Sequence, residues 1–229
     1  MWAVPVVAAL SVGTAFAAIS TAEVNRLREA ATTVRELRDM PEKGIPDDLW
    51  SRAECVVVIP NMKKAAFGIG GEYGRGVMSC RQGTAWSAPL FMTLAKGTWG
   101  LQIGAEQVDL VLLVMNRRGA DKMLQDNISL GADASVAAGP VGRAGAASTD
   151  AQFSAEILSY SKAEGVFAGI DLSGGVLRPD KDSNTDVYGP NHVSRDIVMG
   201  QGIVVPAAAT DFVRSLSAEA RATSGKKPQ

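Results

Sequence analysis

The stretch AAFGIGGEYGRGV, residues 65–77, carries five glycines from Gly68 to Gly76. Lys63 and Lys64 precede it and Arg75 lies within it. Glycine beside cation is the composition of a phosphate cradle, so nucleotide chemistry is the first reading to test. A dinucleotide loop needs G-x-G-x-x-G opening a helix, and counting from Gly68 puts Tyr73 at the third glycine position. No G-x-x-x-x-G-K-[ST] occurs. Gly68 and Gly70 alternate with Phe67 and Ile69, which on a strand gives one face of bare backbone and one of apolar side chains. Bare backbone admits a second element at close range or permits a sharp bend. WGLQIGAE and GVFAGIDLSGGV repeat the habit, so the glycines are read as architecture, with Gly68 and Gly70 the expected close-packing positions. The flanking cations stay available for an anionic ligand.

Asp180, Asp182, Asn184 and Asp186 fall at positions 1, 3, 5 and 7 of a calcium loop. Position 6 is Thr185 where glycine is needed, and position 12 is Asn191 where glutamate is needed. The segment therefore reads as a solvated turn before a helix, and no metal site is assigned. Ser159 and Lys162 match S-x-x-K, but at the end of a strand residues three apart point to opposite faces. No G-x-S-x-G is present, and His192, the single histidine, belongs near a helix start rather than in a triad. Cys55 and Cys80 have no partners at zinc-finger spacing. They would pair in an oxidising compartment, but their apolar, strand-like surroundings favour two buried thiols. No catalytic residue and no cofactor is assigned.

The elements that must carry these residues follow from periodicity. Val24, Leu27, Ala31, Val34 and Leu37 recur at threes and fours, predicting a helix over 20–40, capped by Ser20 or Thr21 and ended by Pro41. Its polar face balances Arg26, Arg28, Arg35 and Arg38 against Glu23, Glu29, Glu36 and Asp39. A short helix follows around Asp47, then a buried strand CVVVIP closed at Pro60. Further strands are predicted at 65–73, 75–80, 98–104, 107–115, 128–138, 153–160 and 165–177, with a helix in NRRGADKMLQD and helices near the end. The expectation is an α+β fold: a strongly curved or barrel-like, mainly antiparallel sheet with an N-terminal helix and flanking C-terminal helices.

The chain has 229 residues, 46% apolar and 21% charged, which suits one globular domain. The formal net charge of −1 provides no field for nucleic acid, so any anion site is a local patch. The run from Trp2 to Ile19 is uncharged and contains Ala15-Phe16-Ala17, a small-x-small cleavage pattern. Residues 1–19 are read as a signal peptide or N-terminal anchor, 20–222 as a single domain and 223–229 as a disordered tail.

The blocks IPDDLWSRAECVVVIPNMKKAAFGIGGEYGRGVMSCR, WSAP, GLQIGAEQVDLVLLVMN, SLGADASVAAGPVGR, SYSKAEGVFAGIDLSGGVL and DVYG, in this order across roughly 24–207, resemble the SYLF domain. The resemblance implies a non-enzymatic, phospholipid-binding module, with phosphoinositide preference in animal members and actin bundling in some fungal ones. It implies lipid contact through an N-terminal amphipathic helix and through basic residues. The expected contact set is Lys63, Lys64, Arg75, Arg81 and Arg143, with Trp86, Trp99 and the apolar face of the first helix as sources of apolar contact. The expected partner is an anionic phospholipid or membrane surface. The alternative is a structural or protein-binding envelope domain with no lipid role. An exported, periplasmic or envelope-associated chain would not meet actin, so actin is not expected as a partner. N-terminal sequencing of protein recovered from the envelope should find a mature chain beginning at or near Ala18, and an intact Met1 in a soluble cytoplasmic fraction would contradict export.

Overall fold

The computed structural model describes residues 19–39, 44–141, 154–163, 166–200 and 202–217; at 65–69, 98–105, 163 and 166–167 it describes the backbone alone. The expected leader, the expected tail and Arg143 lie outside the described residues. Helix α1 spans Thr21–Arg38 and α2 spans Asp47–Arg52. Strand β1 (Cys55–Gln82), the short β2 (Ala85–Trp86) and β3 (Leu90–Val114) follow. Then come α3 (Arg117–Met123), β4 (Ile128–Ser129), β5 (Val136–Ala138), β6 (Ile157–Ala163), β7 (Val166–Gly169) and β8 (Val176–Pro179). Helices α4 (Lys181–Tyr188), α5 (Ser194–Met199) and α6 (Thr210–Leu216) complete the described chain, α6 entered through a 3-10 turn at Ala207–Ala209.

The architecture rests on one long ribbon. β1 is 28 residues and pairs antiparallel with β3 from Cys55↔Val114 to Met78↔Leu90. A straight strand from 55 to 80 would extend about 80 Å. Instead the Cα atoms of Cys55 and Cys80 are 3.9 Å apart. The ribbon folds back on itself, and its two halves face each other across an apolar interior. Cys55, Val57 and Ile59 of one half meet Met78, Cys80, Leu90 and Met92 of the other in a single buried cluster. The alternate residues Val56, Val58, Val77, Phe91, Val111 and Leu113 point outward into a second cluster. That cluster is closed by α1 through Leu27, Ala30, Ala31, Val34 and Leu37. Burying one such leucine or valine contributes about 1.5–3 kcal/mol, enough to fix the helix on the sheet.

The remaining strands extend this half-barrel at the free edge of β3. β8 pairs with its first half, Met92↔Pro179 to Ala95↔Val176, and β6 with its second, Asp109↔Lys162 to Val114↔Ile157. β5 (parallel) and β7 (antiparallel) pair end to end along β6, and β4 pairs with β8. The expected α+β half-barrel with N- and C-terminal helices is thus present. Its seam differs in detail from expectation. The runs 65–73 and 75–80 are not two strands but parts of one continuous strand. Pro60 does not end the strand: it sits in a bulge between Ile59 and Met62, where a missing N–H costs nothing. There Asn61 takes φ 50° and its N–H donates to Asp109 Oδ1 at 2.9 Å.

The glycine question has a local answer. A Cβ on Gly76 would lie 2.1 Å from the carbonyl oxygen of Val58, and one on Gly74 would lie 2.4 Å from the Ile59 side chain. The close approach thus falls at Gly74 and Gly76; Gly68 is described by its backbone alone, and Gly70 pairs with Thr98. The cysteines correct a second expectation: Cys55 and Cys80 are not two thiols but a disulfide, because folding back brings the two ends of β1 together. Beside it the Arg81 N–H donates to the Glu54 carbonyl at 2.7 Å, closing the seam.

Two outcomes are expected. Gly76→Val should destabilise by at least the roughly 1–3 kcal/mol typical of overpacking, since the obstruction is backbone, whereas Gly97→Ala, with nothing among the described residues within 4 Å, should unfold at the wild-type temperature. Replacing both cysteines by alanine should cost roughly 3 kcal/mol in chemical denaturation, and a reductant should reproduce that loss in the wild type alone.

Candidate functional site

The outer face of the sheet beyond α1 holds a charged cavity of about 420 Å³. Its frame is set by strand register. Arg75 of β1 pairs with Thr93 of β3, and Thr93 pairs with Arg178 of β8. Residues directly opposite in antiparallel strands share a face, so these three side chains form one row across three strands. Tyr73, Ala95 and Val176 form the next row on the same face. Thr93 is buried, and its hydroxyl accepts the Arg178 Nε–H at 3.3 Å. Arg178 itself is exposed.

One wall of the cavity is a buried charge network. Asp180 caps α4, its side chain accepting the Ser183 N–H. Its Oδ2 takes Arg26 Nη1 at 3.0 Å and lies 3.6 Å from Arg75 Nη2. Arg26 stacks over Phe91 at 5.2 Å and also reaches Ser183. Glu23 accepts the Ser183 hydroxyl and closes a capping box with Ser20 at the start of α1. Burial pushes the Glu23 carboxyl up, and the hydrogen bonds from Ser20 and Ser183 outweigh it, leaving Glu23 below the ordinary carboxylate range. The predicted polar face of α1 is therefore wrong at two positions: Glu23 and Arg26 are buried, and they tie α1 to α4. Next to Asp180, Lys181 pairs with Asp126 at 2.8 Å.

The sequence-predicted residues divide. Asp180, Asp182, Asn184 and Asp186 do not form a loop around an ion. The last three lie on α4, and Asn184 is spent on β3, accepting the Phe91 N–H at 2.8 Å and donating to its carbonyl at 2.9 Å. Arg81 is a structural clasp: its guanidinium donates to the carbonyls of Ala53 and Trp50 and stacks on Trp86 at 4.4 Å. Trp86 is buried in the second cluster. Trp99 lies where only the backbone is described. Lys63 is exposed and Lys64 half-buried, opposite Gln107 and Glu106 in register. The folding back of β1 packs Met62 against Gly74 on the inner face, and neither lysine lines the cavity that Arg75 lines. Ser159 donates to the carbonyls of Ala137 and Ile170, and Lys162 pairs with Glu36 of α1. His192 lies exposed just before α5.

Arg178 and Thr93 were missed because only register shows them to be neighbours of Arg75, and Lys181 because it lines the cavity from the start of α4. The signal available was the PDK run after a strand, which marks a helix start at the sheet edge. The C-terminal helix is held by Arg38, which donates to the carbonyls of Ser215, Leu216 and Ser217, and by Trp50 Nε1 on Leu216. A second depression, about 650 Å³, holds Lys122 on Glu156 at 2.8 Å with Arg118 at 3.9 Å.

A family model described as "Ysc84: Las17-binding protein actin regulator" matches residues 95–219. "LAS seventeen-binding protein 3" of Saccharomyces cerevisiae is 35% identical over 185 residues, covering 78% of this chain and 39% of that protein. "Protein YSC84" of the same yeast is 34% identical over 185 residues, again 78% and 39%. "SH3 domain-containing YSC84-like protein 1" of Mus musculus is 32% identical over 197 residues, covering 83% and 57%. The chain thus spans about two-fifths to three-fifths of the length of these curated relatives. The names correct the expectation about partners: a family described as an actin regulator does not support setting actin aside, nor a partner list confined to lipid. With the matched segment running from β3 through β8, α4 and the closing helix α6, this chain belongs to the Ysc84 (SYLF) family.

Proposed function

We propose that the chain is a non-enzymatic binding domain whose partner is a protein of the actin-regulating class after which its relatives are named. The observation that carries this is the family match over residues 95–219, which includes Arg178, Asp180 and Lys181 of the charged cavity. The cavity supports the reading. It offers charged groups held from three directions, a chemistry suited to salt-bridged recognition of another protein. In this proposal the contact surface also takes in Lys63, which is exposed, and Lys64, which is half-buried, on the same strand as Arg75. The net charge of −1 makes association depend on these local groups rather than on a general field.

The test is capture of purified Las17 by the immobilised chain, with co-sedimentation on actin filaments as a second arm. Saturable, salt-sensitive binding in at least one arm is expected. The double variant Lys63→Glu with Lys64→Glu should weaken it several-fold while keeping the wild-type unfolding temperature. Binding in neither arm, with retention on anionic vesicles alone, would overturn a protein partner and leave the lipid reading in its place.

A further inference from the structure

We propose that the Arg75–Thr93–Arg178 row is a carboxylate site that receives an aspartate or glutamate side chain of the partner, an inference that rests on the protein-partner reading above. Neighbouring strands lie about 4.8 Å apart, which sets the two arginine Cα atoms roughly 10 Å apart with Thr93 between them. Arg178 already reaches inward to Thr93, and the Arg75 side chain, lying at Asp180, is long enough to meet the same ligand from the other side. Arg178 is exposed, and among the described residues no carboxylate pairs with it; its polar contact is the Thr93 hydroxyl. Arg75 is half exposed, and its contact with Asp180 is the longer of two, 3.6 Å against the 3.0 Å of Arg26 on the same oxygen. Asp180 is thus already neutralised from behind, and Arg75 keeps donors for a second acceptor. Two guanidinium groups on one face repel each other until an oxyanion lies between them. A carboxylate there accepts charge-assisted bonds from both.

The rest of the cavity selects the class of anion. Its titratable lining carries Arg75, Arg178 and Lys181 against Asp126, Asp180 and Asp182. These charges cancel, so the cavity holds no surplus positive potential for a phosphate dianion or a charged bilayer. Directional donors remain, and they suit a planar, singly charged carboxylate. Tyr73, 47% exposed in the adjacent row, gives the methylenes of a glutamate an aromatic surface to rest on. Asp182 is placed to meet a neighbouring cation on the same partner.

The experiment titrates the isotope-labelled chain with penta-glutamate, penta-glutamine and inorganic phosphate, following amide shifts by NMR. Penta-glutamate should give saturable shifts at residues 75, 93 and 178, and the other two probes should give none of comparable size. Arg178→Gln should weaken penta-glutamate binding by about tenfold or more, with Arg178→Lys intermediate because it keeps charge and loses the fork. Arg178→Gln should unfold at the wild-type temperature, its side chain being exposed. Phosphate binding as tightly as penta-glutamate, or Arg178→Gln binding the peptide like wild type, would overturn the site. The two readings fail separately. Undiminished capture of Las17 or actin filaments by Arg178→Gln removes this site and leaves the protein partner standing. Arg178-dependent peptide binding without capture of either leaves the site standing and removes the proposed partner class.

Discussion

Between Val58 and Gly76 there is no room for a side chain. The Val58 carbonyl lies 2.1 Å from where a Cβ on Gly76 would be, and Ile59 fills the equivalent space at Gly74. This contact lets the two halves of β1 pack face to face. Once they do, Cys55 meets Cys80, Glu54 accepts from Arg81, and the interior between the halves becomes dry. A ribbon of two strands is marginal in water by itself, since one face stays wet. Folding it over supplies the missing second layer from the same pair of strands. β6 and β8 can then add to opposite halves of β3, because the two halves now belong to two layers. The disulfide joins residues that the fold already brings together, so it restrains the open chain more than it shapes the closed one.

The same folding back decides where charge can sit. It presents Phe91 and Val77 on the outer face beside Val56 and Val58, giving α1 a single apolar bed spanning both halves. The first turn of α1 overhangs the start of α4, which places Arg26 and Glu23 against Asp180 and Ser183 in a nearly dry contact. A buried ion pair carries a desolvation penalty comparable to its attraction, so this pair is a poor source of stability. Its effect is on geometry. Every polar atom at the contact has a designated partner, and a helix shifted by one turn would leave charges buried and unpaired. The network therefore fixes the register of α1 on the sheet more sharply than the leucines do, and it holds the Asp180 wall of the cavity rigid.

Most helical parts of the molecule were legible because they announce themselves locally; α4 was not, since its run of acidic and polar residues reads as a solvated turn. α1 shows its period, its Ser20 cap and its Pro41 stop within some twenty residues. The curved, mainly antiparallel sheet was legible from many short apolar runs between glycines. What misled was the glycine content itself. Gly74 looks like turn punctuation between the runs 65–73 and 75–80, yet the strand continues through it, as it continues through Pro60 by way of a bulge. Local rules set a break there, and pairing with β3 along the whole length overrides it. The cysteine pair and the cavity were illegible for a different reason. Both depend on contacts across 25 to about 100 positions, Cys55 with Cys80 and Arg75 with Arg178, which periodicity does not encode. Arg81 shows the converse error. A cation in a basic-looking stretch was read as a lipid contact, while the fold uses it to tie β1 to the end of α2.

A protein with net charge −1 has two physical routes to an acidic ligand: gather cations into a patch, or hold a few of them in directed positions. The patch route fits poorly. Lys64 stands opposite Glu106 and Lys96 opposite Glu72 in register, and Lys181 pairs with Asp126, so opposite charges are interleaved along this edge. A flexible anionic surface, which responds to summed potential, gains little from such an arrangement. A single carboxylate presented by a folded partner responds instead to the angle and distance of individual N–H donors. The row across β1, β3 and β8 holds those donors on paired backbone, and the Thr93 hydroxyl restrains one guanidinium before any ligand arrives. Preorganisation of that kind lowers the entropy cost of binding at the moment of contact. It also makes recognition depend on the curl of the sheet, because β8 reaches Thr93 only where the first half of β3 leaves its edge free for it.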